Sequence, residues 1–437
     1  MGDEYVPDTD EERKLVRKID LYLLPAIWLM YLLSYMDRTN IGNAKAAGMA
    51  KDLDLDSNRY SIALIVFFVF YVICEIPYNI VLVRSRPSIF LPTIMFLWGC
   101  VTIAMGWVPS YHALVGLRIV VGTLEAGFAP GVLLILSSWY KPNEQAKRFG
   151  VYISAAILSG AFGGIIAGAI EQHLDGACGL PGWRWLFIVE GAATAGWSIV
   201  ASFLLLDFPA NTKRFTERER ELAIKRLQFV RPAAQEEGLG HIAALKLALT
   251  NWKTWIFVVG YMAIVGSSTL SYFYPTLVAG LGYKGADIQY MTVPIYVAAF
   301  VCTFFNSIFM DQKPMYRGYA LAAWMFLAML CAIVTCVVYN FHARYALLVI
   351  MASGLWASNA LSLAYASTTF GTMSAEVRAI SLAFVNAMGN LAQIYGAYLF
   401  PSAEAPKYLM GFGVISGLCF TGVVAYFALQ LLLPRRG

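Results

Sequence analysis

Charge is scarce in this chain. Of its 437 residues only 14% are charged and 59% are hydrophobic, against about 25% charged in ordinary soluble domains. Several chemical signatures are also missing. The seven cysteines form no CxxC pair and no metal-ligand spacing, so neither a disulfide framework nor a metal site is expected. No GxxxxGK[ST] loop occurs, which excludes a Walker-type nucleotide motor, and no N-x-[ST] glycosylation acceptor is present. His112, His173, His241 and His342 fall in loops or at the ends of apolar runs, away from any mid-membrane proton path. No cofactor is called for.

Long apolar runs take the place of charge, and the mean hydropathy is +0.62. Runs of roughly twenty residues, each long enough to cross a hydrocarbon core of about 30 Å, recur at about 20–43, 60–83, 89–108, 113–139, 148–171, 184–207, 252–279, 287–310, 317–340, 345–370, 377–400 and 408–433. The expected fold is an all-α polytopic membrane protein with twelve transmembrane helices. The first run follows a highly charged arm and lacks a small-residue cleavage site, so it reads as a retained span. Lys and Arg concentrate in the arm, the alternate loops and the segment from Lys213 to Lys253. The opposite loops hold only Lys45, Lys51, Arg59, Arg184, Lys284, Arg344 and Lys407. Basic residues remain on the cytoplasmic side, which puts both termini there.

The one long polar insertion divides the chain into a cytoplasmic arm (1–19), a six-helix bundle (20–207), a central loop (208–251) and a second six-helix bundle (252–434). Within the loop, TERERELAIKRLQFVR spaces Leu222, Ile224 and Leu227 as a surface helix does. Weak echoes between the halves suggest a repeat. RSRPS after run two answers DQKPMYRG after run eight, and PNEQAKRFG after run four answers MSAEVRAIS after run ten. Glycines cluster in GAFGGIIAG and recur as Gly389 and Gly396, where small residues let helices approach closely.

Ionisable residues inside spans are costly and usually face the bundle interior. Five stand out: Asp37, Arg38, Glu75, Arg118 and Glu125. Only Leu21 to Met36 precede Asp37 in the first run, too few to cross, so the helix should continue through DRTNIGNA and bury the pair. Arg118, Gly122 and Glu125 share one helix face, with the two charges about 10 Å apart along the axis. Mutual neutralisation of Asp37 and Arg38 at a helix end, and a structural network in which Arg118 bonds carbonyls, are alternatives. Glu75 precedes Pro77 with Tyr71 one turn earlier, and a packing role fits it equally well. Glu190 reads as a packing residue. An Arg grips a carboxylate through parallel hydrogen bonds, while a neighbouring acid changes its hold on protons with the state of that Arg. Asp37 beside Arg38 therefore reads as a switch in which proton and substrate carboxylate compete.

The motifs YMDRTNIG, CEIPYNIVL, RIVVGTLEAGFAPGVLLILSSWY, GWRWLFIVEG, YFYPTLVAGLGY and NAMGNLAQIYGAYLFP resemble those of major facilitator superfamily transporters of the anion:cation symporter branch, in its fungal allantoate permease-like group. The resemblance extends over nearly the whole chain. Two departures stand out: the loop after run two lacks the Asp-Arg pair common in the superfamily, and Asn359-Ala360 stands where many relatives place two asparagines. It implies proton-coupled symport of a small organic anion, a carboxylate such as nicotinate, allantoate or pantothenate, by alternating access of two rocking halves. It also implies Arg38 as substrate ligand with Tyr35, Tyr71, Asn390 and Gln393 around it. Asp37 and Glu125 would be the proton carriers, Arg118 the partner of Glu125, and Glu75 a further coupling residue. Its partners would be the anion, protons and lipid, with no nucleic acid, and the protein would be a plasma-membrane monomer. Export of a metabolite is the alternative function. A non-transporting nutrient receptor would be expected to carry a longer tail than this chain shows.

Overall fold

A computed structural model describes residues 6–7, 9–230 and 241–433. Parts of the N-terminal arm and central loop, and the C-terminal residues 434–437, lie outside the described residues.

Among the described residues, eleven helices are long and apolar enough to cross a membrane: Asp10–Asp52, Ser57–Glu75, Pro87–Met105, Tyr111–Trp139, Arg148–His173, Gly182–Leu204, Trp252–Gly280, Ala286–Gln312, Pro314–Val337, Phe341–Thr369 and Leu409–Leu432. The first six in this order are spans one to six, the next four are spans seven to ten, and the last is span twelve. The 22-residue helix Ala375–Gly396 occupies the place of span eleven. Span one starts with Thr9 capping the backbone N–H of Glu12 at 3.3 Å, and Asp10, Glu11 and Glu12 fill the first turn, where acids suit the helix dipole. Its helix runs unbroken through DRTNIGNA to Ala44, as the shortness of the apolar run requires.

Spans four and seven are interrupted. In span four the helix Tyr111–Glu125 stops and Phe128–Trp139 begins, because Pro130 offers no N–H to the carbonyl four residues back. Glu125 is thereby left at a helix end in mid-span. Pro275 has the same effect in span seven, where Thr269–Phe273 tightens into a 3₁₀ turn before Tyr274–Gly280.

Within the first six spans, one packs on five and six, two on four, and three on six. The same pairings recur six spans later: seven on eleven and twelve, eight on ten, and nine on twelve. Small residues set the closest approaches. A Cβ on Gly99 would sit 2.8 Å from the Ala195 nitrogen, and one on Gly122 would sit 2.5 Å from the Phe67 carbonyl. The sequence's glycine cluster meets span eight, with Gly160 against the Tyr296 ring and Gly164 against Thr292.

At the face carrying the termini, the connecting helix Glu217–Val230 is strapped to the first spans by ions. Arg226, fully buried, pairs with Glu12 at 3.0 Å and with Glu144, and Lys141 reaches Glu12 at 2.6 Å. Arg148 grips Asp20 through two nitrogens at 2.6 and 2.7 Å, and Tyr140 donates to the same carboxylate. Burial pushes the Tyr140 hydroxyl up, and the Asp20 charge adds to it. Burial alone would raise Glu219, yet hydrogen bonds from Lys18 and from the Thr216 backbone hold its carboxyl below the usual range. Removing one member of a buried ion cluster strands the others, at about 3 kcal/mol. Glu12→Ala should therefore lower the midpoint of thermal unfolding in detergent clearly, whereas Arg13→Ala, at an exposed pair, should leave it nearly unchanged.

Candidate functional site

Arg38 of span one and Glu125 of span four form a buried ion pair. The Glu125 side chain is inaccessible to solvent, and Arg38 donates to Oε1 through Nε at 2.6 Å. Ser34, one turn before Arg38 on the same helix face, donates its hydroxyl to the same oxygen. The contact is end-on. Arg38 Nη2 and Glu125 Oε2 are buried without a hydrogen-bond partner, so one guanidinium nitrogen and one carboxylate oxygen remain available. Aromatic faces surround the cation: its guanidinium carbon lies 4.8 Å from the Tyr71 ring centre, 5.3 Å from Tyr35 and 5.6 Å from Phe67. Such faces favour a cation without neutralising it.

The second half contributes the opposite wall. Trp356 of span ten lies 6.2 Å from the Tyr35 ring, Tyr272 of span seven donates to Gln393 at 3.0 Å, and Tyr261 donates to Asn359 at 3.3 Å. Asn390 is half-buried one turn from Gln393. The stacked rings of Tyr31 and Tyr152, 3.9 Å apart, extend the wall of the first half. Glu75 is half-buried one turn past Tyr71.

Two sequence-based expectations change. Asp37 does not face Arg38: a helix turns about 100° per residue, and Asp37 points toward spans three and six, where Trp98 donates to Oδ2 at 3.2 Å and Thr194 at 3.0 Å. Arg118 does not pair with Glu125 either. Its Nε donates to the Ala63 carbonyl at 3.2 Å and its guanidinium lies 4.6 Å from the Phe67 ring centre. Any competition for Arg38 is therefore with Glu125, on another helix, and not with its neighbour in sequence. Ser34, Trp356, Tyr152 and Tyr272 were absent from the expected site. Helical spacing to Arg38 would have found Ser34, and the break before Pro275 flags Tyr272. Trp356 and Tyr152 sit on spans without such a signal.

On the face opposite the termini the two halves are sealed together. Tyr60 donates to the Tyr272 carbonyl at 3.1 Å, Ser61 to the Ala397 carbonyl at 2.7 Å, and Gln289 to the Asn43 carbonyl at 3.1 Å. Beyond these, the Ser57 and Ser402 hydroxyls lie 3.0 Å apart. A narrow polar seam lined by Thr39, Asn43, Ser271, Thr292 and Tyr296 runs beneath.

The sequence pattern of the Major Facilitator Superfamily matches residues 27–397. The chain belongs to this superfamily. Among relatives, it is 34% identical over 430 residues to the MFS transporter prlL of a fungal species (strain NRRL 50135), covering 96% of this chain and 86% of that protein. It is 32% identical to the MFS-type transporter cnsO of Penicillium expansum, covering 97% and 84%. Its fold is similar to that of a bacterial homologue of the human lysosomal transporter Spinster, with a TM-score of 0.73, 16% identity, and coverage of 94% and 97%. This major facilitator protein is thus a multi-pass membrane transporter, and the buried Arg38–Glu125 pair lies in its first half, facing residues of the second.

Proposed function

We propose that the transporter is a proton-coupled symporter of a small organic anion, in the anion:cation symporter branch and its allantoate permease-like group. The observation that carries this reading is the end-on Arg38–Glu125 pair with its unpartnered Nη2 and Oε2. A substrate carboxylate arriving at the free nitrogen of Arg38 draws the guanidinium away from Glu125, since a fork of parallel hydrogen bonds outcompetes one. Glu125, left buried with a serine donor, then takes a proton to avoid an uncompensated charge. Anion and proton bind together because each removes the other's obstacle, which is a coupling free energy in the sense of linkage. Tyr35, Tyr71, Asn390 and Gln393 complete the substrate contacts, and the aromatic walls suit a planar or small apolar body behind the carboxylate.

With the termini cytoplasmic at a plasma membrane, the sealed face is external, and the two bundles, 20–207 and 252–434, rock about the site. The test is uptake into proteoliposomes of the monodisperse monomer, using a panel of carboxylates that includes nicotinate, allantoate and pantothenate. An inward proton gradient should drive accumulation of at least one of them, with sodium making no difference. Accumulation that needs sodium and ignores a protonophore would overturn the reading.

A further inference from the structure

Behind span one, on the side away from Arg38, a second acidic site lies wholly within the first half. Glu190 of span six is 1% exposed and neither of its carboxylate oxygens has a hydrogen-bond partner; Asp37 Oδ1 is likewise buried and unpartnered. Their juxtaposition follows from the antiparallel register of the two spans. Trp183 packs beside Gly48, and Thr194, eleven residues further along span six, donates to Asp37, eleven residues back along span one. Glu190 is one turn from Thr194 on the same face, which sets it level with Asn40 and Ile41. The two carboxyls are therefore about one helical turn apart along the interface of spans one and six.

Asn40 gives this cluster its second feature. It is fully buried, and neither its amide oxygen nor its amide nitrogen has a partner. It lies on span one between Met36 and Asn43, which meet Gly163 of span five, and Asp37, which meets span six. A side-chain amide donates to a carboxylate or accepts from a carboxylic acid with equal ease, so it serves both states of a proton carrier.

The charges facing this site are few. Span one brings Asp37, with Arg38 turned away to Glu125. Span four carries Glu125, which is held by Arg38, and Arg118, which donates to the Ala63 carbonyl. Span three faces the site with Trp98, whose indole is a neutral donor, and its Cys100 is exposed. Span five carries no titratable residue between Tyr152 and Glu171. Lys45, in the turn that packs on span six, directs its amine at the rings of Tyr60 and Phe273. Two buried carboxyls, one with two neutral donors and the other with none, cannot both be charged in a medium of low dielectric.

We propose that Asp37 and Glu190 form one proton-binding unit, with Asn40 as its amide relay, and that Glu190 is a coupling residue rather than a packing one. The pair holds one proton, on either carboxyl. Because Asp37 and Arg38 are consecutive on one rigid helix, a shift of span one when Arg38 takes substrate displaces Asp37 from Trp98 and Thr194 and changes the hold on that proton. The inference rests on the symport reading only for its transport readout.

The experiment uses the full chain in lipid. Infrared difference spectra across a pH step, without substrate, record the protonated-carboxyl band for wild type, Asp37→Asn, Glu190→Gln and Glu190→Asp. Gradient-driven accumulation of the carboxylate identified in the uptake panel is measured alongside counterflow on the same preparations. In Glu190→Gln the titrating band should lose intensity and the remaining part should shift its midpoint. The ratio of accumulation to counterflow should fall by about tenfold, within the usual range for coupled sites. Glu190→Asp, which keeps a carboxyl, should retain the band at a shifted midpoint. A band and a ratio unchanged in Glu190→Gln would overturn the proposal, as would a wild-type band that responds to sodium in place of protons. A wild-type protein whose uptake ignores the proton gradient, yet whose band changes as described, would refute symport and leave the shared proton standing.

Discussion

Arg38→Ala should lose substrate binding, counterflow and gradient-driven uptake together, with affinity falling by about a hundredfold. That is the effect of removing one partner of a buried, charged hydrogen-bonded pair, roughly 3 kcal/mol. Arg38→Lys should recover little, because an ammonium is a point charge and cannot offer a carboxylate the fork of parallel hydrogen bonds that draws Arg38 from Glu125. Glu125→Gln should behave differently. The amide imitates the protonated acid and still accepts from Ser34 and Arg38, so the variant should bind and exchange substrate across the bilayer while losing accumulation against a gradient. Counterflow in proteoliposomes, normalised to monodisperse protein, separates the two. If Glu125→Gln loses exchange as completely as Arg38→Ala while both remain well folded, the division between substrate ligand and proton carrier is wrong.

The second large effect concerns the sealed face. Ser57 and Ser402 come from different halves, and their hydroxyl oxygens are 3.0 Å apart. Cysteines at both positions place two sulfurs within a small shift of the roughly 2 Å disulfide bond. In a background lacking the exposed Cys100 and Cys178, oxidation of the double variant should stop transport almost completely, and reductant should restore it. A structural consequence distinguishes this lock from general damage: substrate should still bind from the face carrying the termini. Full transport in the cross-linked protein would show that the contacts from Ser57 to Ser402 do not open during the cycle, and with them the hydrogen bonds of Tyr60 and Ser61 to span seven and the loop after span eleven.

These expectations divide along a physical line. Hydropathy and length determined the spans, because a helix must bury about twenty apolar residues to cross lipid. The continuation of span one through DRTNIGNA followed from the same arithmetic, since the run before Asp37 is too short. The rarity of charge in an apolar chain singled out Arg38, Arg118 and Glu125, but the breaks at Pro130 and Pro275 were not read, since Pro25, Pro77 and Pro92 sit inside unbroken helices. Partner choice was beyond the sequence. Asp37 and Arg38 are adjacent in the chain but about 100° apart around the helix, so one reaches span six and the other span four. Which residue waits there depends on the register of helices whose apolar faces look alike in hydropathy. Glu190 illustrates the same limit: in the sequence it is one acid in a tryptophan-rich span, and only the level at which span six packs against span one sets it beside Asn40 and Asp37. Sequence determined which groups must be paid for in the membrane; tertiary packing decided which of them meet.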